Sequence, residues 1–410
     1  MASVEPIGPF LRRLRKAEGW SQTQAGEHLC ADSGRDTVTK GEWSRWERGK
    51  RKPVEWLPEL AKLFNVPLAH LEAAVAAARR REVPGATRDQ ERELGDYAAA
   101  VRDTNAHLIA LDSRYGGTGV ADVALQAFRV SHAALATGRH NSDEHDLEAA
   151  TGETGEIAAW CLYDAARLDE SRAVTHEAMM ISRLAADRSM ELFQLSHLAL
   201  IDVHQRRSRD ALRISENVMD PGGIAPRVEA LFKIRAARAL AQSGDSNRSL
   251  ARLNEVASAL QDSVHPHDPH WTWWLDESEL AVQRGLLYLE LGDYTTAVPH
   301  IAEAARLRPG PYNPVVGGGS VADYGDQRGR AAYNDLVLLL LVLTMAAAWS
   351  DAETAAADVA SFARDVTSGR TELMLQRATK KIVDAAKSGL PDRPSATLAD
   401  LAEELSASRH

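Results

Sequence analysis

One stretch of this chain narrows its architecture more than any other. Along residues 285–309 stand Gly285-x-x-Tyr288, then Gly292-Asp293-Tyr294-x-x-Ala297, then Ala304 and Pro309. Small residues at 285, 297 and 304 let two antiparallel helices approach closely. Gly292-Asp293 turns the chain, and Pro309 ends the second helix. Around this unit, residues 96–388 are rich in Ala, Leu, Arg and Glu at helical period. No segment alternates apolar and polar residues as a half-buried strand would. A lone helical hairpin cannot bury its apolar face, so neighbours of the same kind are expected. The turn and its following small residue predict weaker copies, or else ordinary helical hairpins, starting near 154, 192, 230 and 336. Their markers are Ala173, Ala211, Gly244-Asp245 with Ser249, and Ser350-Asp351 with Ala355.

Two insertions interrupt the array. His265-Pro266-His267-Asp268-Pro269-His270 leads into Trp271-Thr272-Trp273-Trp274, and a second runs from Pro311 to Gly317-Gly318-Gly319-Ser320. Connections this long inside a compact repeat array are often functional.

The first 82 residues differ from the rest. They hold 15 Lys and Arg against 11 Asp and Glu, a net of +4, while the whole chain carries −10. A basic head on an acidic body fits nucleic acid at one end and another task at the other. Ile7, Phe10, Leu11 and Leu14 give the apolar face of a first helix that Gly19 ends. Ser21-Gln22-Thr23-Gln24 and Thr39-Lys40-Gly41-Glu42 each have the form of a capping box that opens a further helix. Trp56, Leu60, Leu63 and Phe64 form another apolar face, and Leu68, Leu71 and Val75 a fifth. Arg79-Arg80-Arg81 with Val83-Pro84-Gly85 marks a boundary.

The strings Leu11-Arg12-x-Leu14-Arg15-x-x-x-Gly19-Trp20-Ser21-Gln22 and Trp43-Ser44-Arg45-Trp46-Glu47-Arg48-Gly49-Lys50-Arg51-Lys52-Pro53 resemble the Cro/C1-type helix-turn-helix, the Xre family. The resemblance covers most of residues 7–72. It implies a five-helix, lambda-repressor-like domain whose third helix enters the major groove. Two departures stand out: Cys30 occupies the place of the family's short turn, and Ala31 to Thr37 are added before Val38-Thr39. The unit at 285–309 resembles tetratricopeptide repeats. The whole layout resembles the transcription regulators abundant in actinobacteria, and in arrangement the peptide-sensing quorum regulators of Gram-positive bacteria. That layout implies a homodimer and a solenoid that binds a peptide or small molecule.

A third helix opening at Thr39 presents its first turns to base edges, so Lys40, Glu42, Ser44 and Arg45 are the candidate readers. Lys or Arg bonds guanine and Glu accepts from cytosine. Gln22, Gln24, Arg48, Lys50, Arg51 and Lys52 are the candidate phosphate contacts, which position without specifying. The other reading of these charges is a solvated face. Trp43 and Trp46, at i, i+3, form a core stripe. The inserted loop, with Arg35, either packs aside or touches DNA. If it buries Lys40 and Arg45, DNA reading fails and a protein-interaction scaffold is the better account.

Trp271 and Trp274 share a helical face and either line a ligand groove with Asn334 or fill the join of a lengthened repeat. His265, His267 and His270 beside Asp268 read as an exposed loop rather than a metal site, since no thiolate or distant partner accompanies them. Gly317–Ser320 lacks the lysine of a phosphate loop. No nucleophile elbow, HExxH or similar signature occurs, so an enzyme is not expected, nor is a cofactor.

Cys30 and Cys161 make no CxxC pair, and the N-terminus lacks an export signal. The apolar run from Leu336 is too short to span a membrane, which takes roughly 20 residues. A cytoplasmic protein without membrane partners is expected. The expectation is an all-α chain: a helix-turn-helix domain at 1–82, a linker at 83–95, a tetratricopeptide-like α-solenoid at 96–388 and a tail at 389–410. Its function would be sequence-specific transcription regulation on double-stranded DNA.

Overall fold

The structure is a computed structural model, and it describes residues 5–33, 38–80, 88–136, 142–261, 268–307, 329–362, 366–388 and 393–407. Among these every regular element is helical. The chain divides into two units, residues 1–96 with 139–146, and residues 97–138 with 147–410. None of the described helices is long and apolar enough to cross a membrane.

The first unit contains five helices: α1 (Ile7–Ala17), α2 (Gln22–Ser33), α3 (Lys40–Glu47), α4 (Leu57–Leu63) and α5 (Leu68–Arg80). Their apolar faces meet in one core, where Ile7, Leu11, Leu29, Trp43, Leu60 and Leu71 are fully buried. Ser21 and Gln24 form the expected reciprocal cap. The Ser21 hydroxyl accepts from the Gln24 N–H at 3.2 Å, and the Gln24 side chain accepts from the Ser21 N–H at 2.9 Å.

The second unit is built from most of α6 (Arg88–Tyr115) and from α7 (Ala121–Ala136), followed by six hairpins, the first helix of which begins in the first unit. These are α8 (Ser142–Asp164) with α9 (Leu168–Leu184), α10 (Arg188–His204) with α11 (Ser208–Met219), and α12 (Pro226–Gln242) with α13 (Ser246–Gln261). Then come α14 (Glu277–Leu291) with α15 (Tyr294–Leu307), α16 (Arg330–Met345) with α17 (Trp349–Phe362), and α18 (Gly369–Lys387) with α19 (Ala396–Ala407). In the 285–309 unit, a Cβ on Gly285 would come within 2.2 Å of Ile301 Cδ1, so any larger residue there would displace the buried Ile301 side chain.

The repeat has a more regular signature than the sequence reading found. One left-handed residue turns each of the first five hairpins: Ala166 (φ 62°), Arg206 (58°), Gly244 (82°), Gly292 (77°) and Ala347 (57°). Five positions after each stands a small residue with no accessible surface: Ser171, Ala211, Ser249, Ala297 and Ala352. Serine fits this site because its hydroxyl finds a backbone acceptor, as Ser171 does on Ala159 O at 2.7 Å. Two markers are thereby corrected. Ala173 is exposed and Ser171 takes its place, while Ala352 holds the site assigned to Ala355. Left-handed alanines at 166 and 347 hid the register, because glycine is the residue that ordinarily marks such a turn.

Two boundaries also differ from expectation. Helix α6 begins at Arg88, within the stretch expected to be linker. Residues 396–407, expected to be tail, form α19, whose Leu398, Ala402 and Leu405 join the core of α16 to α18. Their i, i+4, i+7 spacing is an amphipathic pattern that ties them to the body.

The body closes on itself. Before α18, the Thr367 N–H donates to Tyr115 O at 2.7 Å and the Gly369 N–H to Thr118 Oγ1 at 2.9 Å. Asp164 at the end of α8 accepts from the Ser368 hydroxyl and from the Gly117 N–H, both at 2.9 Å. The last hairpin is thus fastened to the first.

Candidate nucleic-acid interface

Helix α3 is only eight residues long, yet its two sides are sharply different. Thr39 caps it, its hydroxyl accepting from the Glu42 N–H at 3.3 Å. Trp43, Trp46 and Glu47 are buried, and Ser44, Arg45 and Arg48 fall on the far side of the helix from the two tryptophans, with Lys40 at the border in the first turn. Trp43 and Trp46 are buried with ring centroids 5.5 Å apart, and Trp46 continues to Trp56 at 6.3 Å. The outward arc carries exposed Lys40, Arg45 and Arg48 around half-buried Ser44.

The sequence reading missed what anchors this helix. Glu47 is buried, and its carboxylate accepts from Arg15 Nε at 2.5 Å, Trp43 Nε1 at 2.9 Å and Gln22 Nε2 at 2.8 Å. Arg12 adds a longer contact at 3.5 Å. Burial alone would raise the Glu47 pKa. The hydrogen bonds from Arg15, Gln22 and Trp43, with the charge of Arg15, outweigh burial and hold it below the usual carboxylate range. The available signal was an acidic residue at i+4 from Trp43, on the apolar stripe rather than off it.

The candidate readers are not equivalent. Lys40 stands exposed, with no ion pair among the described residues. Glu42 is mostly covered and pairs with Arg45 at 3.2 Å and Arg51 at 2.8 Å. Both arginines remain about half exposed, at 52% and 55%. Such pairs contribute only about 0–1 kcal/mol, so they exchange readily for a phosphate or a base edge. Arg51 also reaches Glu55 at 3.6 Å. Arg48 spends its Nε on Ser44 O at 3.1 Å. Lys50 is exposed and Lys52 half-buried.

The two glutamines play different parts. Gln22 directs its amide at Glu47, inside the head, and this contact competes with its expected phosphate role. Gln24 is exposed and holds the cap of α2.

The inserted segment is partly absorbed by helix. α2 continues through Ala31 to Ser33, past the position where Cys30 was read as the turn. Two contacts set the α2–α3 approach regardless: a Cβ on Gly26 would lie 2.8 Å from Val38 O, and Cys30 Sγ lies 3.7 Å from the same oxygen. Arg35 lies outside the described residues.

In the body, Trp271 and Trp274 lie in a short 3-10 helix, His270–Trp274. At three residues per turn they do share a face, but that face is the core. Trp271 stacks flat on Phe193, at 4.5 Å and 7°, and donates Nε1 to Ser189 Oγ at 2.9 Å. Trp274 packs half-buried on the same cluster. Asn334 is buried elsewhere, accepting from the Thr371 hydroxyl at 3.2 Å. The expected groove of Trp271, Trp274 and Asn334 is therefore not formed, and the tryptophans fill a join between repeats. His265, His267 and Gly317–Ser320 lie outside the described residues. Asp268 is engaged by Arg227. No group of three or more metal-ligating side chains occurs among the described residues.

Residues 6–74 match a family profile described as a helix-turn-helix domain. No curated protein matches the chain in sequence. Among solved structures, the chain is similar to PlcR of Bacillus thuringiensis in complex with the peptide PapR7 and DNA. The identity is 14%, the overlap covers 74% of this chain and 97% of that one, and the TM-score is 0.38. Residues 6–74, which span α1 to α4 and part of α5, thus form a helix-turn-helix domain.

Proposed function

We propose that the chain is a sequence-specific DNA-binding transcription regulator of the cytoplasm, acting as a homodimer, with a Xre-type head and a tetratricopeptide-like body that senses a small ligand. The observation that carries the reading is the two-sided helix α3. Two buried tryptophans and a bound carboxylate anchor it, while Lys40, Arg45 and Arg48 stay exposed around half-buried Ser44. Rigid anchoring with an exposed cationic arc is what groove reading needs.

In this reading Lys40 and Arg45 contact bases. Arg48, Lys50 and Arg51 contact phosphates, and Glu42 holds the two arginines until DNA replaces it. A single head reads few base pairs, so a dimer addresses two half-sites. The body carries the excess of negative charge and does not wrap DNA. It supplies dimerisation and the ligand site. Burial of Lys40 and Arg45 by the inserted segment would have favoured a protein-interaction scaffold; both are exposed, which supports the DNA reading.

Binding of the full-length protein to a random-sequence duplex, measured against salt, tests the electrostatic half of this reading. Affinity should fall linearly on a log–log plot. A Lys50→Ala/Arg51→Ala variant should reduce the slope by about 1 to 2. An unchanged slope, or no binding at low salt, rejects the assignment.

A further inference from the structure

The first helices of the hairpins meet inside the body, and their contact surfaces are charged. Arg238 of α12 reaches Glu290 of α14 at 3.3 Å, and Glu290 also accepts from Gln242 at 3.0 Å and Arg206 at 2.6 Å. Arg370 of α18 reaches Asp164 of α8 at 3.4 Å. Arg330 of α16 lies 3.1 Å from Asp112 and 3.9 Å from Asp164. Three carboxylates are thus shared among four guanidiniums.

Arg235 is a fifth, and it has none. It is 5% exposed, and neither a hydrogen bond nor an ion pair reaches it among the described residues. Glu279 acts on it by charge from a distance, while that carboxylate accepts from Gln283 at 2.7 Å. Burial pushes the Arg235 pKa down to about 10, so it stays charged at neutral pH. Arg235 and Arg238, at i, i+3 on α12, lie side by side and repel. Nearby, Tyr163 contacts His204 at 3.1 Å, and the guanidinium of Arg370 lies 5.2 Å from the Tyr163 ring centre. Both are neutral: burial raises the Tyr163 pKa, and burial with Arg238, Arg370 and Arg235 holds His204 well below its usual value.

A buried guanidinium without a counterion destabilises a fold, and its retention calls for an anion. We propose that the interior of the body binds the carboxylate of a small ligand between Arg235 and Arg238, against the wall formed by Tyr163 and His204. Charge selects the class. One guanidinium lacks a partner among the described residues, so a monoanionic carboxylate balances it and a phosphate dianion over-compensates. A planar carboxylate also matches the guanidinium fork. This deepens the sensing role proposed above, and rests on it only for the consequence to DNA binding.

Two measurements on the full-length protein test it. In chloride buffer, Arg235→Met should raise the Tm, because the replacement keeps the volume and removes the unpaired charge. A lower Tm means that Arg235 has a structural role and overturns the proposal. The second is equilibrium dialysis against a pool of tetrapeptides with free C-terminal carboxylates, with the same pool amidated and inorganic phosphate as separate arms. The free-acid pool should be retained, amidation should abolish retention, and Arg235→Met should weaken it at least about tenfold. Equal retention of the amidated pool, retention untouched by Arg235→Met, retention of phosphate alone, or no retention at all overturns it. DNA is absent from both measurements. A body that retains carboxylates beside a head that selects no motif would leave this inference standing and the regulator reading rejected.

Discussion

Arg15 and Glu47 meet at 2.5 Å beneath the exposed face of α3, tying α1 to the end of the helix that carries the candidate base readers. The carboxylate is 1% exposed and the guanidinium 12%, so this is an interior pair. Its orientation is fixed by Trp43 and Gln22.

Removing one partner of a buried pair leaves the other charge without compensation. Glu47→Ala should therefore destabilise the head by about 3–5 kcal/mol. Urea unfolding followed by tryptophan fluorescence measures this, since Trp20, Trp43, Trp46 and Trp56 all lie in the head. A loss below about 1 kcal/mol would place the pair with surface salt bridges instead.

The same carboxylate predicts an acid transition. Its folded pKa lies below the ordinary value of 4.5, so it stabilises the fold above that pH. The stabilisation is lost as pH falls through the folded value. Head stability should accordingly decline below about pH 4.5, and Glu47→Gln should flatten that part of the profile. A wild-type profile that the substitution leaves unchanged contradicts the assignment.

The repeat register makes a sharper distinction. Ala297→Leu inserts volume at a site with no accessible surface and should cost at least about 1–3 kcal/mol. Ala173→Leu, at an exposed position, should stay within about 0.5 kcal/mol. Comparable losses at both positions would mean that the small-residue register is misplaced.

Trp271 gives a test of the join between repeats. Trp271→Ala removes a ring stacked on Phe193 and the hydrogen bond to Ser189, and should cost about 3–5 kcal/mol. Trp271→Phe should recover much of it. A near-neutral Trp271→Ala variant would return the indole to the role of an open ligand platform.

The sequence was most readable where one spacing rule acts alone. The apolar stripes of the head, the Ser21 cap and the close packing at Gly285 all follow from local patterns, and each has the predicted form. Two things were not readable. The repeat register was obscured at Ala166 and Ala347, where alanine takes a left-handed turn that glycine usually announces. The Glu47 cluster joins three helices, α1, α2 and α3, and no local window contains Arg15, Gln22 and Glu47 together. Arg235 is hidden for the same reason. Along α12 it is one more arginine at helical spacing, and only the folded body shows it to be buried and without a partner among the described residues.

The most direct test of the account is in vitro selection from a random duplex library, with the full-length protein compared against a Lys40→Ala/Arg45→Ala double variant. The account predicts that the wild type alone enriches a two-fold symmetric motif, with half-sites separated by whole helical turns. Enrichment of no motif by either protein, or of the same motif by both, would contradict the claim that the exposed face of α3 reads DNA.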